Sequence, residues 1–120
     1  MTNRTCQHCG QPILDGIADR IAGLSRWVDE ANADRDPEAR TWGRVSKVAE
    51  ECGEAIAALI AVTGQNPRKG PHGFFGDVSR ELLDVAVTAL AAYEHLDDNR
   101  GECMNALAQH VKFLDARRQP

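Results

Sequence analysis

Two stretches decide how this chain folds: DPEARTWGRVSKVAEECGEAIAALIAV, residues 36–62, and GDVSRELLDVAVTALAAYEHL, residues 76–96. The first opens on Asp36-Pro37-Glu38, which supplies an N-cap, a first-turn proline and a first-turn acid, so a helix starts there and runs to about Val62, with Gly64 as its stop. The second is apolar around most of its circumference and contains no helix breaker after Gly76. Outward from this pair, Ile13, Ile17, Ile21, Leu24 and Val28 recur at steps of three or four and predict a helix over 13–33. On the other side, Met104, Leu107, Val111 and Leu114 predict an inward-facing stripe on a helix over 102–117. No segment alternates as a strand does, and no solenoid-length repeat is present. The expectation is all-α: a four-helix bundle over residues 13–120, preceded by a Cys-containing tail over 1–12.

Length and composition narrow the functional classes. At 120 residues the chain has room for one domain. Its longest apolar run, Ala55 to Val62, is far too short to cross a bilayer, so no membrane partner is expected. The opening residues MTNRTCQHCG lack a secretory apolar stretch, which points to a cytoplasmic protein with reduced thiols. A net charge of −4 discourages binding to nucleic acid. That charge is local, because Glu50, Glu51, Glu54, Glu81 and Asp84 fall in two short clusters and the rest of the chain is nearly balanced.

Drawn on a helical wheel, residues 36–62 place Val45, Val48, Ala49, Cys52, Ile56 and Leu59 on one side, which is expected to be core. Lys47, Glu50, Glu51 and Glu54 lie opposite, followed on their face by Ala57, Ala58 and Ala61. Alanines in place of further charges suggest that something packs closely there. Residues 76–96 are expected to be largely buried, yet Asp77, Glu81, Asp84, Thr88 and His95 share one stripe. Carboxylates in such a place need a cation. If Glu51 and Glu54 face Glu81 and Asp84, four carboxylates converge, and oxygen-only ligands favour Mg²⁺ or Mn²⁺ over zinc. No Glu-x-x-His pair is present, which disfavours a di-iron bundle. The competing reading is a solvated acidic face, with Lys47 serving Glu50 or Glu51.

The motifs Glu50-Glu51-Cys52-Gly53-Glu54 and Glu81-Leu82-Leu83-Asp84, 26 residues apart, resemble the E-E-x-x-E and E-x-x-D motifs of the MazG-like nucleotide pyrophosphohydrolases. The run WGRVSKVAEECGEAIAALI with GQNPRKG resembles the small actinobacterial and phage type. The resemblance covers residues 13–115 and implies Mg²⁺-dependent hydrolysis of a nucleoside triphosphate to the monophosphate and pyrophosphate. It makes Glu51, Glu54, Glu81 and Asp84 the metal ligands and Glu50 an auxiliary ligand or the base that orients water. One departure stands out: where many members carry an asparagine two turns after the aspartate, this chain has Ala91.

Further expectations attach to the same region. Lys47 and the loop residues Arg68 and Lys69 are candidates for phosphate oxygens, and Trp42 for stacking on a base. The long basic loop 64–76 reads either as a ligand-binding flap or as a solvated linker. Apolar surface in excess of what one small bundle hides predicts a homodimer or homotetramer. Cys6-Gln7-His8-Cys9-Gly10 resembles half of a zinc ribbon, so Cys6 and Cys9 are candidate Zn²⁺ ligands if a second tail or His8 completes the set. Against the enzyme stands a non-catalytic helical interaction module with a zinc-knuckle tail.

Overall fold

The computed structural model describes Gln7 and residues 16–118. Among these residues the chain forms four helices and no strand: α1 (Ile17–Ala31), α2 (Pro37–Thr63), α3 (Phe75–Leu96) and α4 (Cys103–Ala116). The predicted start of α1 at residue 13 and the Cys6 and Cys9 pair fall outside the described residues. No helix among the described residues is long and apolar enough to cross a membrane.

The ends of α2 follow from local chemistry. The Asp36 carboxylate accepts the Ala39 N–H at 3.0 Å, Pro37 occupies the first turn, and Gly64 closes the helix in the left-handed region at φ 70°. Glycine is required at 64 for a second reason: a Cβ there would lie 2.6 Å from the Pro71 ring. The loop after it folds back on α2, with the His72 N–H donating to the Ala61 carbonyl at 2.8 Å. On α3, the Asp77 carboxylate accepts the Phe74 N–H at 2.9 Å and fixes the first turn.

Helix α3 is the central element. It packs against α2 along most of its length and against α1 on a second side, while α4 makes smaller contacts with α3 and α1. A polar clamp ties the first three helices together. Arg44, with a side chain 11% exposed, donates to the Ser25 carbonyl at 3.1 Å, Ser25 Oγ at 2.7 Å, Asp29 at 2.9 Å and the Ala91 carbonyl at 2.9 Å. Asp29 also accepts from His95 Nδ1 at 2.7 Å and from Asn99 at 2.9 Å, and His95 Nε2 meets Thr41 Oγ1 at 2.9 Å. Burial works to raise the Asp29 pKa, but hydrogen bonds from Asn99 and His95 and the charges of His95 and Arg44 outweigh it and hold the carboxyl below its ordinary value. At the same C-terminal end of α3, fully buried Glu94 accepts the N–H groups of Gly101 and Cys103 at 2.8 and 2.7 Å and so caps the start of α4.

Three expectations about the core require correction. Val45, Cys52, Ile56 and Leu59, the greasiest side of α2, are exposed, with Ile56 at 58%. The side that packs on α3 is instead Thr41, Arg44, Val48, Glu51, Ala55, Ala58 and Val62, of which Ala55 is buried and the rest half-buried. Helix α3 is not largely buried: Leu82 and Leu83 face outward, Leu83 at 67%, and only Ala92 and Glu94 are fully enclosed. Along α4, Leu107, Val111 and Leu114 are exposed and only Cys103 is buried, so one chain does not close a four-helix bundle. The physical reason is common to all three. Hydrophobic periodicity marks a face that needs cover, but it does not say whether the cover comes from the same chain.

The clamp makes a direct prediction. Arg44→Ala leaves half-buried Asp29 without its guanidinium and removes four interhelical hydrogen bonds, so the unfolding free energy should fall by about 3 kcal/mol in urea titrations at fixed protein concentration. Because the Asp29 pKa is lower folded than unfolded, its contribution is present above the ordinary carboxylate range and is lost as pH falls through the folded value. The gap between wild type and Asp29→Asn should therefore narrow on acidification.

Candidate metal centre and adjoining cavity

The antiparallel register of α2 and α3 brings the two acidic motifs together. Thr41 meets His95 and Arg44 meets Ala91, so seven residues further along α2 the partner of Glu51 lies seven residues back along α3, at Asp84. Side-chain oxygens of Glu51, Glu81 and Asp84 all lie within 4.8 Å of one another. Glu81 and Asp84 stack a turn apart on α3, and Glu51 reaches across the seam from α2. Ala55 and Ala58, the next residues on the seam, are small enough to let the backbones approach; of the alanine face expected from the sequence, Ala58 lies on the seam, Ala61 is half-buried and Ala57 is exposed.

The carboxylates of this cluster crowd one another. Glu51, with a side chain only 13% exposed, has its pKa raised, first by burial and then by the charge and hydrogen bonding of Glu54 and the charge of Asp84, against the opposing pull of Lys47. Lys47 lies 3.0 Å from Glu50 and 3.6 Å from Glu51, and these carboxylates raise its own pKa. Among the described residues no ion pair reaches Glu81 or Asp84, and the buried Oε2 of Glu81 has no hydrogen-bond partner. Three carboxylates from two helices, one with an orphaned buried oxygen, match the donor set of a hard divalent cation with coordination positions left for water or an anionic ligand.

The sequence-predicted residues divide around this centre. Glu51, Glu81 and Asp84 meet. Glu54 is exposed and lies beside Glu51 rather than within the three-way cluster, and Glu50 is exposed and engaged by Lys47. Arg68 and Lys69 are exposed in the loop beyond Gly64, and among the described residues neither forms an ion pair or a side-chain hydrogen bond with the cluster. Trp42 is 70% exposed and does not line the cavity described next.

A cavity of about 420 Å³ opens between α1, α2 and α3 directly beyond the carboxylates, with Lys47 and Thr88 at the near end. Its walls are apolar, from Leu24, Val28, Val87 and Ala91. Ala91 lies on this wall, and its carbonyl is taken by Arg44. The polar lining includes Arg35 and Arg40, which sequence reasoning did not single out. A faint signal was present: residues 35–47 carry Arg35, Arg40, Arg44 and Lys47 at steps of three to five, a basic stripe leading to the acidic motif. Together these elements define an all-α protein with an interhelical carboxylate centre beside a cation-rimmed apolar cavity. Comparison with protein-family models, curated proteins and solved structures returns no match for this chain.

Thermal melts test the centre. In EDTA, Asp84→Asn should melt higher than wild type because it relieves like-charge repulsion; with Mg²⁺, wild type should gain about 5 °C and the variant almost nothing. Raised above 4.5 in the folded chain, the Glu51 pKa makes metal-free wild type lose stability relative to Glu51→Gln as pH climbs through the raised value.

Proposed function

We propose that this chain is a divalent-metal-dependent nucleoside triphosphate pyrophosphohydrolase of MazG-like type, converting a (d)NTP to the monophosphate and pyrophosphate. The observation that carries the reading is the meeting of Glu51, Glu81 and Asp84 across the α2–α3 seam, with one buried oxygen unpaired, next to a cavity of nucleotide size. The motif resemblance supplies the reaction. Glu51, Glu81 and Asp84 would hold Mg²⁺ or Mn²⁺, with Glu54 close enough to Glu51 to join them. Bound there, the ion would contribute neutralisation of phosphate charge and activation of water for in-line attack on phosphorus.

The chain's own residues have separate tasks in this proposal. Lys47, at the boundary between carboxylates and cavity, offers a cation to phosphate oxygens. The apolar walls exclude bulk water from one side of the substrate and fix its direction. Glu50, exposed and paired with Lys47, positions that lysine. The exposed apolar faces of α2 and α4 support assembly into a homodimer or homotetramer, in which they would be covered.

Two measurements test these proposals. Pyrophosphate release from a mixture of (d)NTPs with Mg²⁺ should fall at least ~100-fold in Glu81→Gln, more than the 10- to 100-fold typical of losing an outer-shell partner; undiminished release would remove the metal role, and no Mg²⁺ binding by wild type would favour the non-catalytic helical module. Light scattering should give a mass of two or more chains, and Ile56→Glu, on the exposed apolar side of α2, should shift it toward one.

A further inference from the structure

The cavity beside the carboxylates contains directional groups that the proposed hydrolysis leaves unused. Arg44 and Asp29 both line it, but they are spent on each other and on Ser25, His95, Asn99 and Ala91. Arg40 is different. It lines the same cavity and is half-buried; among the described residues its side chain makes no hydrogen bond or ion pair, and its Nε is fully buried without a partner. The terminal nitrogens of the Arg40 guanidinium, also without partners among the described residues, keep contact with solvent and are the donors open to an acceptor in the cavity. Asn32 lines the same cavity; its Nδ2 donates to the Val28 carbonyl at 2.9 Å, and among the described residues its Oδ1 accepts no hydrogen bond.

The position of these groups suits the end of a nucleotide remote from its phosphates. Arg40 lies 11 residues before Glu51 on α2, about 16 Å along the helix, and the space between is walled by Val28, Val87 and Ala91, against which a flat ring can lie. The donor fork and the neighbouring acceptor then select among rings. Guanine presents two adjacent acceptors, O6 and N7, to a guanidinium, and its N1–H and N2 amino group face an acceptor. Adenine would set its N6 amino donor against the Arg40 donors. Uracil, thymine and cytosine offer no paired O6/N7 edge.

We infer that this cavity is a guanine-selective nucleotide site in which Arg40 reads the O6/N7 edge and Asn32 accepts from the opposite edge. The assignment deepens the proposed function and rests on the cavity being the seat of the nucleotide, but it does not require that hydrolysis occur.

The test is equilibrium titration of the full chain with GMP, 7-deaza-GMP and AMP, each up to millimolar concentration. GMP should bind at least about tenfold tighter than AMP and than 7-deaza-GMP, which lacks the N7 acceptor. Arg40→Met should bring GMP within about twofold of AMP without altering helix content or melting temperature. Equal affinity for GMP and AMP, no loss with 7-deaza-GMP, or no binding of any of the three overturns the inference, and the 7-deaza comparison needs no variant to fold. Pyrophosphate release measured separately keeps the two proposals apart: hydrolysis without guanine preference in binding defeats this one alone, whereas selective GMP binding with no hydrolysis of any NTP defeats the enzyme and leaves the site.

Discussion

The antiparallel seam between α2 and α3 is the constraint on which the rest of this molecule depends. Its register is held at one end by Arg44, whose guanidinium reaches Ser25 and Asp29 on α1 and the Ala91 carbonyl on α3. Two turns further along, the same register sets Glu51 against Glu81 and Asp84. A rotation of either helix by one residue would turn a carboxylate out of the cluster and remove Arg44 from its acceptors together. The clamp and the acidic centre are therefore products of one geometric choice.

That choice places stabilising and destabilising electrostatics side by side on one seam. At the clamp, a half-buried cation is answered by a carboxylate, a hydroxyl and two carbonyls, and Asp29 is held ionised by its neighbours. At the centre, carboxylates crowd one another, Glu51 is pushed toward protonation, and a Glu81 oxygen has no partner. A well-satisfied network beside an unsatisfied one is the pattern expected where rigidity is needed to hold apart groups that would otherwise relax away from each other. The cavity beside them takes walls from all three helices and includes clamp residues Arg44 and Asp29 in its lining.

Much of the architecture was legible in the sequence. The Asp36-Pro37 start, the Gly64 stop and the apolar periods locate the helices to within a few residues, because caps and i, i+4 spacing are local properties. The acidic motifs were legible too, but the buried alanine beside them is Ala55, not one of the alanines expected to pack, and Ala57 of that set is exposed. Arg40 was only faintly legible, as one member of the basic series Arg35, Arg40, Arg44 and Lys47, and its unpaired Nε is a product of the tertiary structure.

What the sequence determined alone is thus the helical inventory and the two acid clusters, each fixed by interactions within a few residues along the chain. What tertiary structure decided is which side of α2 meets α3. The most apolar side, with Val45, Ile56 and Leu59, stays exposed in one chain, while the side carrying Arg44, Glu51 and Ala55 forms the seam. Hydrophobicity ranks faces by their need to leave water. It carries no information about which neighbour can offer a guanidinium's acceptors and a small-residue surface in matching register, and here those requirements chose the less apolar face.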